Sequence, residues 1–435
     1  MTIAAAKRHD LRRILGVGFG LAVIVGATLG IGILRTPGLV AGQLGSPSLI
    51  LLVWVLGGLY TLIGAICFTE LGTMLPQAGG YYVYARRAFG DMVGFAVGWS
   101  DWLTYCSVLG YISIGLAEFV AVLHPALSRW TTLIASVTLI AFVMLQWTGV
   151  RVSAQFQEVT TAAKFAAFAV LVAACLLLGQ AGAAHGAPVL STTTFGAVIL
   201  ALQSVVITYG GWQSALYFTE EDRDPSRNLP RAMIGGVAAV IAIYLLVNLA
   251  LLRVLPIARL AASTLPAADA AQAIAGVRGA ELITILSIVS LAPLLNAILM
   301  IGTRILFAMS RDGLMPSGAT AVNAGGTPTV STIVTMVVAL GLIATGTFQK
   351  LVALTSFFLA ANYFVCSLAL IVLRRREPRL ARPFRAWGDP VSAWIVVGGA
   401  VAFLYGALRA DTRDALVALG LIAAGLVARA MASRR

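Results

Sequence analysis

The chain has 435 residues, of which 60% are hydrophobic and only 11% are charged, and its mean hydropathy is +0.94. Soluble proteins carry about 25% charged residues, so this composition excludes a soluble globular protein and predicts an integral membrane protein. The net charge of +13 does not indicate nucleic-acid binding, because most basic residues separate apolar runs, as topology signals do. The four cysteines and three histidines show no metal-ligand spacing, so neither a metal site nor a cofactor is expected.

Apolar runs bounded by charged residues, proline and glycine predict about twelve membrane-spanning helices with short connections. The predicted fold class is therefore an all-α polytopic membrane protein, with residues 1–435 forming one transmembrane domain in the lipid bilayer. In chain order, the predicted spans are 11–38, 47–75, 91–121, 130–148, 152–179, 195–220, 231–255, 281–305, 329–347, 350–373, 392–409 and 414–430.

Basic residues set the predicted orientation. The loops on the side of the N-terminus hold most of the Lys and Arg residues, including Lys7, Arg8 and the run from Arg374 to Arg376. Positively charged loops favour the cytoplasm, so both termini are predicted to be cytoplasmic. The preference for arginine over lysine and the abundance of alanine are typical of a GC-rich bacterial genome, so a multi-pass protein of the bacterial inner membrane is expected.

Two spans contain glycine clusters near the middle of the membrane. Gly26, Gly30 and Gly32 lie in the first span, and Gly210 and Gly211 lie in the sixth. Glycine weakens a helix by up to about 1 kcal/mol relative to alanine, so both clusters predict interrupted helices. Close packing through small residues is the alternative for the first cluster.

The spacing of the two clusters points to an internal repeat. They are five spans apart, and interrupted helices at matching places in two halves are a pointer to the binding site of a transporter. An odd number of helices per half inverts the second copy. We therefore predict inverted five-helix repeats at 11–179 and 195–373, followed by two further helices at 392–430.

Several short motifs occur in a characteristic order along the chain. They are Gly30-Ile31-Gly32-Ile33, Thr36-Pro37-Gly38, Thr69-Glu70-Leu71-Gly72, Gly79-Gly80-Tyr81, Tyr209-Gly210-Gly211-Trp212, Asp224-Pro225-Ser226-Arg227-Asn228-Leu229-Pro230, Met309-Ser310-Arg311-Asp312-Gly313 and Arg382-Pro383-Phe384-Arg385. In this combination the chain resembles the permeases of the amino acid–polyamine–organocation (APC) superfamily over nearly its whole length. The resemblance implies the LeuT-like fold of five plus five inverted helices.

The resemblance also implies a binding site at the two interruptions. A broken helix leaves N–H donors and a positive dipole end, which bind an anion without a cationic side chain. The substrate α-carboxylate is expected at the N–H groups of Gly30, Ile31 and Gly32. The α-amine is expected at the carbonyl groups of Thr28, Leu29, Ile207, Thr208 and Gly210.

The chain departs from many relatives at two positions of this site. Ile31 stands where many carry a small polar residue, so the carboxylate would rely on backbone groups alone. Ile207 stands where many carry an aromatic gate, and that function is expected to fall to Tyr209 or Trp212, or to be missing. Substrate size and affinity depend on both changes.

Lys164 lies about twelve residues into the fifth span, near the bilayer centre. A charge there costs roughly 2.5–3.5 kcal/mol, so its side chain is expected to face the protein interior. In similar sodium-independent permeases a lysine at this place replaces a bound ion, so Lys164 is expected to contact the segment from Gly26 to Thr28. Proton exchange by Lys164 is the open alternative.

Other polar residues in or near the spans allow weaker interpretations. Glu220 and Glu221 could form an inner gate with Arg227 or Arg231, and Asp101 is expected to be structural. The polar residues Ser290 and Asn296 either line the cavity or join helices by hydrogen bonds. In the cationic amino acid branch of the superfamily, a glutamate often stands at the place of Thr104, so a neutral substrate is favoured.

The sequence thus predicts a secondary transporter for small or neutral amino acids that works by alternating access, independently of sodium. Proton symport and exchange both remain open, and so does the oligomeric state. A polyamine or amine permease is the alternative within transport. A non-transporting amino acid receptor is disfavoured because no added cytoplasmic domain is recognised. An enzyme is not expected, because the spans hold no Ser/His/Asp set, HExxH motif or P-loop.

Overall fold

The computed structural model describes residues 11, 13–179, 194–345, 347–410 and 412–432. Within these ranges the regular elements are helices, with isolated β-bridges between Leu15 and Asp222 and between Val322 and Pro328. The predicted orientation signals at Lys7 and Arg8 lie outside the described residues.

The first part of the chain forms seven helices up to the described limit at residue 179. They are α1 (Val17–Thr28), α2 (Ile31–Leu44), α3 (Pro47–Met74), α4 (Tyr81–Phe89), α5 (Asp91–Leu123), α6 (Thr131–Trp147) and α7 (Val150–Leu178), with a 3₁₀ helix at Pro125–Trp130 before α6. The short helix α4 lies between the second and third predicted spans, where the hydropathy pattern predicts no helix.

The chain from residue 194 onwards forms the remaining helices. They are α8 (Phe195–Thr208), α9 (Pro225–Val254), α10 (Ile257–Ala262), α11 (Pro266–Arg311), α12 (Thr329–Thr345), α13 (Phe348–Arg376), α14 (Val391–Ala410) and α15 (Thr412–Ala432), with 3₁₀ helices at Trp212–Phe218 and Ser317–Thr320. Helix α11 begins well before the predicted span and is kinked at Gly276 (φ 67°, ψ −159°).

Among the described residues, ten helices are long and apolar enough to cross a membrane, and α1 with α2 forms an eleventh, bent span. The apolar helix α12, with 17 residues, corresponds to the remaining predicted span. The prediction of an all-α polytopic membrane protein is therefore confirmed. The inverted relation between the two halves stays a prediction.

Both predicted interruptions are present. Helix α1 ends at Thr28, and after Leu29 and the extended Gly30 (φ −128°, ψ −152°) the chain resumes as α2 with a bend of 44°. Helix α8 ends at Thr208, and Gly211 (φ 115°) leads into the 3₁₀ helix at Trp212–Phe218.

Gly26 lies inside α1 and serves close packing instead of a break. A Cβ atom at this position would collide with Gln157 Nε2 and would lie 2.6 Å from Thr161 Oγ1 of α7. The packing interpretation of the first glycine cluster is therefore correct for Gly26, while the break lies at Gly30.

The interior of the bundle is built around α5 and α11, which pack against each other, and α5 also packs against α4 and α13. Helix α1 packs between α7 and α9, and α2 contacts α8. The last two helices lie at the periphery, α14 on α13 and α3, and α15 on α13 and α5. This arrangement places the two interruptions side by side, next to α5 and α11.

Candidate substrate-binding site

A cavity of about 340 Å³ lies where the two interruptions meet. Seven of the predicted site residues line it, namely Thr28, Gly30, Ile31, Gly32, Ile207, Thr208 and Gly210. Leu29, Tyr209 and Trp212 are buried beside the cavity and do not line it. The structure therefore brings both interrupted helices to one cavity.

One side of the cavity is the beginning of α2. The first N–H groups of a helix have no intrahelical partner, and Gly30 at the N-cap provides no side-chain acceptor for them. A Cβ atom on Gly32 would lie 2.9 Å from Thr208 Cγ2, and one on Gly30 would lie 2.7 Å from Leu294 Cδ2. The absence of a side chain at Gly30 and Gly32 thus lets Leu294 and Thr208 pack close to the first N–H groups of α2.

The other side of the cavity holds the carboxyl ends of α1 and α8, and their last carbonyl groups share one partner. The Tyr244 hydroxyl of α9 lies 2.7 Å from Thr28 O and 3.0 Å from Thr208 O. It has one proton and donates to one of the two carbonyls at a time. Sequence analysis missed this residue, although a tyrosine in the middle of a span usually needs a hydrogen-bond partner.

The Tyr244→Phe variant is expected to bind its substrate roughly tenfold or more weakly than the wild type. The carbonyl groups of Thr28 and Thr208 would lose the one hydroxyl that they share, and the carbonyl that it serves would be left unsatisfied at a cost of about 1–3 kcal/mol, which loosens the alignment of the two interruptions. Substrate dissociation constants measured on the purified protein test this. The control is Tyr60→Phe, which removes a hydroxyl that donates to Val396 O far from the cavity. Equal affinities for the two variants would contradict the role of Tyr244.

The aromatic residues proposed as gates lie elsewhere. The Tyr209 hydroxyl donates to Trp54 O (3.1 Å), and the Trp212 ring packs against Phe68 and Tyr363. The aromatic side chains on the cavity wall are instead those of Tyr105, Tyr111 and Phe348. Tyr111 and Phe348 meet edge to face, with ring centroids 5.6 Å apart.

Arg35 lines the cavity on the side to which α2 extends, and because its side chain is 31% exposed we place the mouth of the cavity there. Its guanidinium group lies 5.1 Å from the Phe348 ring centroid and 5.3 Å from that of Phe119, and Nη2 is 3.2 Å from Glu118 Oε2. We call the other side of the bundle, where residues 13–16 lie, the N-terminal face. Arg35 is the only charged residue that lines the cavity in the part of the chain that the structure describes.

Lys164 is buried outside the cavity, with 2% of its surface exposed. Its ammonium group donates to Gly26 O of α1 at 3.1 Å, one turn before the break. No ion pair of Lys164 with a carboxylate occurs among the described residues. The lysine therefore links the middle of α7 directly to the interrupted helix.

Ser290 and Asn296 of α11 were each predicted either to line the cavity or to form hydrogen bonds between helices. Asn296 forms hydrogen bonds between α11 and α7. Its amide donates to Ser153 O and to Gln157 Oε1 of α7, both at 3.0 Å. Ser290 lines a small hollow beside Lys164. Neither residue lines the main cavity.

The N-terminal face below the cavity is closed by ion pairs. Glu221 forms a bidentate pair with Arg304 of α11, and both side chains are almost fully buried. Glu220 pairs with Arg311. The prediction that Arg227 or Arg231 pairs with these glutamates was wrong. Both arginines lie in α9, which leads away from the glutamates, whereas α11 packs against the 3₁₀ helix at Trp212–Phe218 and brings its own arginines to them.

A helical membrane bundle in which two interrupted helices meet at a central cavity has the construction of a secondary transporter. Comparison with known proteins agrees with this class: a family profile described as amino acid permease matches residues 20–424. The chain belongs to this family of the APC superfamily, as its motifs predicted. Membership indicates a transporter and not an enzyme.

Similar proteins are about 30% identical to the chain within the regions that align. The serine/threonine exchanger of Bacillus subtilis is 29% identical over 245 residues, which are 56% of this chain and 55% of that protein. The b(0,+)-type amino acid transporter 1 of Oryctolagus cuniculus is 32% identical over 256 residues, 56% of this chain and 52% of the relative. The chain thus matches about half of the length of these two relatives.

A third similarity extends further along the chain. The Asc-type amino acid transporter 1 of Mus musculus is 28% identical over 397 residues, which are 88% of this chain and 74% of that protein. The similar region therefore covers most of the chain.

Proposed function

We propose that the protein is a sodium-independent secondary transporter that moves neutral amino acids across the membrane by alternating access. The observation that carries the proposal is the polarity of the cavity. The start of α2, whose first N–H groups have no intrahelical partner, and the carboxyl ends of α1 and α8 line the same cavity. A zwitterion fits this arrangement, with its α-carboxylate at Gly30, Ile31 and Gly32 and its α-amine at the carbonyls of Thr28, Ile207, Thr208 and Gly210.

The cavity wall favours an uncharged substrate side chain. Apolar groups of Ile31, Ile207, Leu294 and Leu359 occupy much of it, and no carboxylate lines it among the described residues. A polyamine would bring several positive charges to a site whose lining holds one arginine and no acid. The names of the relatives, which include a serine/threonine exchanger and amino acid transporters, support an amino acid substrate.

The closed N-terminal face and the cavity mouth near Arg35 correspond to one of the two states of alternating access. If the termini are cytoplasmic, this is the outward-facing state. The reverse state would require α1, α8 and the 3₁₀ helix at Trp212–Phe218 to move against α5 and α11, with the Glu221–Arg304 pair separating.

Uptake by proteoliposomes tests the proposal directly. Radiolabelled amino acids are offered under imposed proton and sodium gradients, and also with unlabelled amino acid inside. Neutral amino acids are expected to enter without sodium, and their dependence on a proton gradient or on internal substrate separates symport from exchange. Uptake that needs sodium would contradict the proposal. Competition of excess putrescine with neutral amino acid uptake would favour the amine permease instead.

The Lys164→Ala variant is expected to lose most uptake. We place the Lys164 ammonium group in the position of a coupling ion, and its hydrogen bond to Gly26 O holds α1 in place. The matched control is Lys350→Ala, which removes an exposed lysine at the start of α13. Initial uptake rates of both variants are measured across a range of pH. A Lys164→Ala variant with the rate and pH profile of the wild type would refute both the ion-replacing and the proton-exchanging role.

A further inference from the structure

Asp101 is a fully buried acid in the middle of the bundle. It lies ten residues after the start of α5, about 15 Å along the helix at 1.5 Å per residue. None of its surface is exposed. Its Oδ2 atom accepts a hydrogen bond from the Tyr217 hydroxyl at 2.8 Å, whereas Oδ1 has no hydrogen-bond partner among the residues that the structure describes. A structural aspartate would normally have both oxygen atoms satisfied.

The groups around Asp101 provide no compensating positive charge. The titratable side chains that interact with it are Tyr81 of α4, Tyr105 of α5 itself, Tyr217 of the 3₁₀ helix, and Tyr363 and Cys366 of α13. No lysine, arginine or histidine pairs with it in the described part of the chain. A buried carboxylate without a cation is strongly disfavoured, so the acid is stable here in its protonated form.

A short series of polar groups lies between Asp101 and the cavity. Tyr105 lines the cavity one turn further along α5, and its hydroxyl lies near Tyr217 and Gln213. Within the described ranges that hydroxyl makes no hydrogen bond of normal length and angle, so it can take up a new partner. Gln213 also lines the cavity and accepts hydrogen bonds from Gly211 N (3.1 Å) and the Tyr363 hydroxyl (3.3 Å).

The hydrogen-bond partner of Asp101 belongs to an element that must move. Tyr217 lies in the 3₁₀ helix at Trp212–Phe218, directly after the second interruption. The same helix ends next to Glu220 and Glu221, whose ion pairs close the N-terminal face. Opening of that face would separate Tyr217 from Asp101 and admit water to the carboxyl group.

We propose that Asp101 is the proton-binding site of the transport cycle. It takes one proton from cavity water while the N-terminal face is closed. It releases that proton to water at the N-terminal face when the helix at Trp212–Phe218 moves away. This inference rests on the proposed amino acid transport and assigns its driving ion to Asp101 instead of Lys164.

The test compares two modes of transport by the Asp101→Asn variant in proteoliposomes. Asparagine keeps the shape of the side chain but does not carry the proton. Accumulation driven by a pH gradient is expected to fall at least tenfold, while exchange of labelled for unlabelled amino acid at equal concentrations continues. The control is Asp269→Asn, an aspartate of α11 that accepts a hydrogen bond from Ser263 and does not line the cavity. This control is expected to retain both modes.

The results separate the role of Asp101 from the proposed amino acid transport. Proton-driven accumulation by Asp101→Asn at the wild-type level overturns the assignment, and so does a wild type that exchanges amino acids but never accumulates them under a pH gradient. In both cases the proposed amino acid transport still stands. A folded wild type without transport or exchange of any amino acid contradicts the proposed function itself.

A second measurement covers the case in which Asp101→Asn does not fold. Tyr217→Phe keeps the acid and removes its hydrogen-bond donor, so the pH midpoint of accumulation is expected to move while exchange persists. A pH indicator in weakly buffered detergent solution also reports protons bound or released when substrate is added to the wild type. An unmoved midpoint together with no proton signal would overturn the assignment.

Discussion

Replacement of Gly211 by alanine is expected to lower uptake at least tenfold, close to complete loss. A Cβ atom at this position would lie 2.6 Å from Ala27 O and 2.9 Å from Thr28 N. Both contacts are with the backbone of α1 at its interruption, which cannot rotate away as a side chain can. The residue also has φ 115°, a conformation that costs an alanine about 1–3 kcal/mol. The two interruptions would therefore separate, and the cavity would lose its shape.

Two control glycines separate the effects of strain and of contact. Gly90 has φ 89°, and beyond its chain neighbours no atom of the described residues lies within 4 Å of the position that a methyl group would occupy. Its alanine variant therefore carries conformational strain without a clash. Gly341 lies in α12 with open space around it and an ordinary helical backbone. Both variants are expected to transport. Substrate binding and uptake are measured for all three, and a Gly211→Ala variant that matches Gly90→Ala would show that the contact with α1 does not determine the site.

The Arg304→Met variant is expected to be the least stable of the single variants. Removal of one partner from a buried ion pair costs about 3–5 kcal/mol, because the remaining charge stays buried without compensation. Glu221 is fully buried here, and the Arg304 guanidinium also lies 4.8 Å from the Phe218 ring centroid. Thermal unfolding in detergent is expected to show a clear fall in the midpoint temperature.

The double variant Arg304→Met with Glu221→Leu distinguishes the loss of a pair from a general packing defect. Apolar residues of similar size often replace a buried pair at little cost, so the double variant should recover much of the lost stability. Its transport is nevertheless expected to remain low, since the N-terminal face would stay closed by apolar packing. A double variant less stable than Arg304→Met would refute the proposed energetics of the pair.

Much of the fold was predictable because its causes are local. Runs of about 20 apolar residues define membrane spans, and a glycine pair at mid-span favours a break. The same local information located the part of the cavity formed by the two interruptions, since Gly30, Gly32 and Gly210 line it. The break near Gly30 and the packing at Gly26 could not be separated by sequence, because the difference depends on whether α7 fills the adjacent space.

The missed features depend on contacts between distant parts of the chain. Arg304 lies 83 residues from Glu221, and Tyr244 lies 216 residues from Thr28. Hydropathy does not give the rotation of one span about its axis relative to another, and that rotation decides which polar side chain meets which. The same limit applies to Tyr209, which the motif placed at the site although its ring turns towards Trp54.

The start of α2 has an evolutionary consequence. If the carboxylate is held by main-chain N–H groups after Gly30, no single side chain encodes that contact. Side chains around the cavity can then diverge and change substrate preference while recognition of the common amino acid backbone is inherited unchanged. A lineage of this kind can acquire new nutrients by a few substitutions, provided that the glycines which allow the helix to stop and restart are retained.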